Sequence, residues 1–154
     1  MAIDVMAETT IASPRDRVAG YAMDPRNDPT WIGGVSEVEV LTELPLEKGS
    51  KVRRVASFLG KRIEYVLEVA ELDPGSRLLM RSVKSPFPMV VTYSFDDASA
   101  GTLVAIRVEG EPGTWYRIAG PMMSRAVRRS LSKDLQSLKA IIESGQPKGG
   151  TPHP

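Results

Sequence analysis

The side chains that carry most enzyme chemistry are nearly missing from this sequence. It has 154 residues and no Cys, which excludes disulfides, thiolate nucleophiles, Cys-ligated zinc and iron–sulfur clusters. Its single His, His153, is the second-last residue. Imidazole is the usual general base and the commonest neutral metal ligand. A Ser–His–Asp site, a His-bound metal and a His proton shuttle are therefore all disfavoured, and no metal or other cofactor is expected. Any chemistry must run on Asp, Glu, Tyr, Arg, Lys, Ser, Thr or water. This inventory favours binding over catalysis and leaves catalysis open.

Charged residues at strand centres are the next candidates. Arg54 shares a face with Val52, Ala56 and Phe58, and Arg107 and Glu109 share one with Leu103 and Ala105. An inward Arg would need a partner and could then grip a ligand carboxylate bidentately. Glu109, Glu64 or Glu68, if buried, could exchange protons. The favoured expectation is plainer: these residues face outward in cross-strand ion pairs. The better apolar face of the last strand, Val104, Ile106 and Val108, lies opposite Arg107 and supports it. Arg125, Arg128, Arg129 and Lys133 form a basic stripe spaced i, i+3, i+4, i+8. Such a stripe could meet anionic lipid or an acidic partner, but a solvated helix face is the expected reading. Residues 1–50 hold 4 basic and 9 acidic residues, net −5, which leaves 16 and 10, net +6, for the other 104.

The elements that must position these residues can be read from periodicity. Ile3, Val5, Ala7, Thr9 and Ile11 alternate with polar or exposed positions, which predicts a strand. Ser13-Pro14-Arg15-Asp16 predicts a helix start capped by Ser13, ended by Asp24-Pro25. Asp28-Pro29-Thr30-Trp31-Ile32 predicts a second short helix, again with a cap and a Pro, broken by Gly33-Gly34. Six more strands follow over 35–41, 51–59, 62–72, 77–83, 89–95 and 102–109, joined by turns at Gly60-Lys61, 73–76, 85–88 and 96–101. The last element is a helix over 121–144, with Met122, Met123, Ala126, Val127, Leu131, Leu135, Leu138, Ile141 and Ile142 at helical spacing. At about 24 residues it is about 36 Å long, enough to cross a sheet.

The length suits one domain, which should bury roughly 68–70% of its unfolded surface. Hydrophobic residues are 42% and charged residues 25%, ordinary for a globular protein. The net charge of +1 argues against a nucleic-acid partner. No run of 18 apolar residues exists to span a membrane and the N-terminus lacks a signal-peptide pattern, so a cytoplasmic location is expected. The domain is expected over 1–144, with a disordered tail over 145–154.

The order of one strand, two short helices, six strands and one long helix resembles the α+β helix-grip fold. In that fold a curved, six- to seven-stranded antiparallel sheet wraps a long C-terminal helix. It belongs to the START-like SRPBCC superfamily, which includes birch-pollen-allergen-like proteins. Within it, the chain is similar to the bacterial polyketide cyclase/dehydrase and lipid transport family. The residues carrying the resemblance are Ala12-Ser13-Pro14 after the first strand, Asp28-Pro29-Thr30-Trp31, and Leu72-Asp73-Pro74-Gly75-Ser76-Arg77-Leu78. Gly101-Thr102-Leu103-Val104 and Leu135-Gln136-Ser137-Leu138-Lys139 complete them, and together they span residues 3–144.

The resemblance implies a cavity between sheet and helix, because family members bind lipids, sterols, polyketides or plant hormones. Some catalyse cyclisation or dehydration, and others bind protein partners. The implied ligand is a hydrophobic or amphipathic small molecule such as a lipid or polyketide. The alternatives are a cyclase- or dehydratase-type enzyme and a co-chaperone-like interaction domain. Tyr65, Met89, Tyr93 and Phe95 become inward strand positions, Tyr21 and Trp31 come from the short helices, and Met123 and Val127 from the long one. Met suits a pocket that adapts to varied apolar ligands. The same residues could simply fill a core. Three loops fall at one end of the cavity, carrying Leu59, Phe87, Trp115 and Tyr116. An apolar rim there suits a greasy ligand's entrance, or a protein or transient membrane contact. Either a monomer or a homodimer fits.

Overall fold

The computed structural model describes residues 2–112 and 120–145. The chain forms β1 (Ile3–Ile11), α1 (Arg15–Ala22), a 3-10 turn (Pro25–Asn27) and α2 (Asp28–Trp31). It continues through β2 (Val35–Val40), β3 (Lys51–Phe58), β4 (Lys61–Asp73), β5 (Arg77–Lys84), β6 (Met89–Ala98) and β7 (Gly101–Gly110). It ends in α3 (Gly120–Ser144). The strands make one antiparallel sheet in the order β1-β7-β6-β5-β4-β3-β2. From β2 onward each strand pairs with its successor, and β1 joins the end of the meander by pairing Val5 with Val108 and Thr9 with Val104. The sheet curls as a half-barrel around α3: this is the helix-grip fold.

Alternation explains the sheet. In β4, Ile63, Tyr65, Leu67 and Val69 are buried while Arg62 and Glu64 are exposed, so one face meets α3 and the other meets water. The outer face carries cross-strand ion pairs, Arg107 with Asp4 at 2.6 Å and Arg53 with Glu64 at 2.7 Å. Arg107 and Glu109 thus face outward, as expected. The stripe of α3 buries Met123, Leu131, Leu135, Leu138 and Ile142. Leu135 and Leu138, 1% and 0% exposed, each stabilise the fold by about 2 kcal/mol. The C-terminal end of α3 is tied to the end of β1. Lys139 Nζ donates to the Thr10 carbonyl at 2.7 Å, and Glu143 accepts the Ala12 N–H at 2.8 Å.

Four local expectations are corrected. Ser13 does not cap α1: the helix begins a residue later, with Pro14 at the N-cap. Ser13 is buried instead, its carbonyl accepting the Thr102 hydroxyl at 2.7 Å. Asp28 does not cap α2, because Asn27 holds the cap position and the Asp28 carboxylate turns into the core. Met122 is exposed, since it lies one residue, about 100° of helical rotation, off the stripe led by Met123. The β3–β4 turn is Leu59-Gly60 rather than Gly60-Lys61. Both residues have positive φ, 50° and 80°, as the primed hairpin turn requires. The residues expected as a tail lie, beyond Gly145, outside the described residues. Among the described residues, no helix is long and apolar enough to cross a membrane.

Candidate functional site

Where the sheet curls away from the N-terminal half of α3, a cavity of about 170 Å³ remains. Its apolar wall includes Ile3, Ala56, Ile63, Phe87, Met89, Val108, Met123 and Val127, and its polar groups include Tyr65, Ser57, Ser130 and Asp134. Every lining residue except Ser57 is buried or half-buried. Helical spacing builds one wall, with Met123, Val127, Ser130, Leu131 and Asp134 on the inward side of α3. Strand alternation builds another, with Ile63 and Tyr65 two residues apart on β4.

Asp134 is the unexpected member. It is 6% exposed, and its Oδ1 accepts the Gly33 N–H at 2.9 Å. Burial pushes its carboxyl up to about 6, against the opposing pull of the Gly33 N–H and the charges of Arg54 and Lys133. A carboxyl that changes charge near neutrality can accept a hydrogen bond or exchange a proton inside an apolar wall. A sequence signal for it existed. Position 134 falls three residues after Leu131 and four before Leu138, on the apolar stripe, where a solvated acid would not be placed.

Deeper in the core, Arg54 is the second departure. It is 5% exposed and points inward, which overturns the expectation of an outward ion pair. Its Nε donates to Asp28 Oδ2 at 2.8 Å and its Nη2 to the Tyr93 hydroxyl at 3.2 Å. Burial opposes the guanidinium charge, but the Asp28 carboxylate beside it outweighs that and keeps Arg54 protonated. Tyr93 is pushed up to about 12 by burial, although Arg54 opposes it, and stays a neutral phenol. Trp31 and Tyr93 pack edge to face, with ring centroids 5.8 Å apart. Arg54 is thus committed to protein partners and is no member of the cavity wall.

Of the residues proposed from sequence, Tyr65, Phe87, Met89, Met123 and Val127 line the cavity. Tyr93, Phe95 and Trp31 are core residues beyond it. Tyr21 is half-buried on α1, its hydroxyl 2.7 Å from Thr30 Oγ1, away from the cavity. Trp115 and Tyr116 lie outside the described residues. Phe87 turns inward from its loop to pack against the core, whereas Leu59 is exposed. Among the described residues, no group of three or more Asp, Glu or His side chains is placed to hold a metal.

Open furrows larger than the cavity also mark the surface of the described residues: one of about 520 Å³ lies beside Ala2, Pro88 and Glu111, and two more run along the helices. Of these two, one, about 760 Å³, runs between α1, the β2–β3 loop and the β4–β5 turn. It is open at the surface and shares no lining residue with the cavity. The other, about 700 Å³, runs along the outer side of α3 beside the Leu59 turn and shares Gly34, Ser57, Phe58, Ser130 and Asp134 with the cavity.

A curled antiparallel sheet gripping a long helix over a small apolar cavity defines a helix-grip protein. The sequence model of the polyketide cyclase/dehydrase and lipid transport family matches residues 2–143, and the chain belongs to that family. Solved structures agree on the fold. TTHA0849 from Thermus thermophilus is 22% identical, with 94% of this chain and 100% of that one covered at a TM-score of 0.79. The Zhui aromatase/cyclase from Streptomyces sp. R1128 is 19% identical, with 97% and 99% covered at 0.78. A START superfamily protein from Mycobacterium smegmatis is 14% identical, with 94% and 99% covered at 0.78. No curated protein sequence matches the chain significantly.

Proposed function

We propose that residues 1–144 act as one domain that binds a hydrophobic or amphipathic small molecule, such as a lipid or polyketide, between the sheet and α3. The observation that carries this reading is the apolar cavity itself, with only a few polar groups set into its wall. That is the usual make-up of a small-molecule site. Burial of apolar ligand surface, at about 25 cal/mol per Å², drives binding, and the polar groups orient the ligand. Family membership supports the reading.

Asp134 favours a second reading, a cyclase- or dehydratase-type enzyme on a ligand in the same cavity. A buried, titratable carboxyl facing a bound polyketide could move a proton to or from an enolisable carbon. The fold shared with an aromatase/cyclase is consistent with it.

Mass spectrometry of molecules retained through native purification, joined to displacement of a fluorescent fatty acid by lipids and polyketides, tests the first reading. One ligand per chain at micromolar affinity is expected. A chain that retains nothing and displaces no probe sinks it. Turnover of a bound polyketide that disappears in D134N would establish the second.

A further inference from the structure

We propose that the outer furrow along α3 and the inner cavity form one bipartite site for an anionic amphiphile. The apolar tail occupies the cavity, and the anionic head sits on Arg125, Arg129 and Lys133. This rests on the binding reading above and specifies the ligand's charge and orientation.

Volume supplies the first argument. Small-molecule sites usually hold about 300 Å³ or more, so the cavity of about 170 Å³ admits one apolar arm rather than a whole lipid. The rest of the ligand must protrude. Two furrows adjoin the cavity. The one along α3, about 700 Å³, shares Gly34, Ser57, Phe58, Ser130 and Asp134 with it. The other, about 520 Å³, shares Ile3, Met89 and Gly110 but sets the carboxylates of Asp4, Glu109 and Glu111 against Arg81, so an anionic head is better placed in the first.

Charge supplies the second. Arg125, Arg129 and Lys133 are spaced i, i+4, i+8, so they stand in one row on α3, and all three line the furrow. Among the described residues none is held in a salt bridge. One carboxylate, Asp134, faces the furrow from its inner end, where the Gly33 N–H holds it. Three cations against one carboxylate leave the furrow positive. The inner cavity has the opposite character: its ionisable carboxyl is Asp134, and the buried cation Arg54 is taken by Asp28. An anionic head would meet repulsion inside and attraction outside, which fixes the tail inward. The exposed side chains of Leu59 and Met122 line the furrow too and give the upper part of a tail something apolar to cover.

Calorimetric titration with decyl phosphate, decanol and decyltrimethylammonium, each kept monomeric, tests the proposal. Decyl phosphate should bind about tenfold more tightly than the other two at low salt, with the advantage shrinking as salt screens the row. Inorganic phosphate alone should bind far more weakly than decyl phosphate. The double variant R125A/R129A, at exposed positions, should bring decyl phosphate down to the affinity of decanol and leave decanol unchanged. Equal affinity for all three decyl compounds, or an R125A/R129A variant that binds like the parent, overturns the bipartite site and leaves the binding reading standing. Failure of every decyl compound to bind overturns both.

Discussion

Asp28 and Arg54 are 26 residues apart and meet in the core at 2.8 Å. Each is tolerable there only because of the other, since an unpaired buried charge costs several kcal/mol. Asp28→Asn should therefore lower stability by about 3–5 kcal/mol, read as a shift in the urea midpoint. Replacing both partners, Asp28→Leu with Arg54→Met, should cost clearly less than either single change. A single variant that melts like the parent would refute the buried pair. Asp134 makes a separate prediction. Its folded carboxyl lies at about 6, above the ordinary 3.8, so between those values the native state holds more proton than the unfolded one. Stability then falls as pH rises from 4 to 6, by at most about 3 kcal/mol from this group. D134N should gain stability relative to the parent over that window. Comparing the two proteins by chemical denaturation at pH 4, 5, 6 and 7 isolates the contribution from the other carboxylates. A constant difference across the range would refute it.

The connection from α2 to β2 sets how close the chain comes to the cavity. A Cβ on Gly34 would lie 2.7 Å from the Ser57 carbonyl oxygen, and neither backbone can give way without moving a strand edge. Gly34→Ala should cost about 1–3 kcal/mol and shift the cavity wall that Gly34 and Ser57 share, weakening ligand binding in the same titration. An unchanged melting temperature would show that the loop relaxes freely. The helix α3 shows how far periodicity reaches. Its length and inward stripe are legible because a 3.6-residue repeat is a local property of the chain. Met122 joins that stripe on sequence grounds, since apolar type alone cannot separate two adjacent Met residues. Asp134 escapes because a search for apolar spacing skips an acid. Ser13 and Asp28 both carry the right chemistry for caps, yet neither caps. The helix α1 starts one residue after Ser13, whose backbone carbonyl rather than its hydroxyl meets Thr102, and the Asp28 carboxylate is taken by Arg54.

At the scale of the molecule, the cavity exists because a curled sheet and a straight helix diverge. Val127 projects from α3 into that gap and is only half-buried. Val127→Phe should fill the space, abolish binding of the ligand's apolar arm, and change stability by less than about 1.5 kcal/mol. Retention of full binding by a folded V127F protein would place the ligand elsewhere. The strand count, their order along the chain and the closing helix were all set by the sequence alone. Alternation and helical repeat are written in neighbouring residues, and their order admits few topologies. The fate of individual charges was only partly so written. Arg54 and Arg107 sit in the same kind of alternating strand, with apolar neighbours on the same face. One became a buried cation and the other an exposed one. The apolar face opposite Arg107, Val104 and Ile106, already turned that residue outward, where Asp4 of β1 meets it. Arg54 shares the buried face of Val52 and Ala56, and only the tertiary structure brings the Asp28 carboxylate from α2 that lets it stay there charged. Cavity volume, and the wall it shares with the row of cations on α3, likewise depend on the gap between elements. No local pattern encodes that gap, so only the tertiary structure decided it.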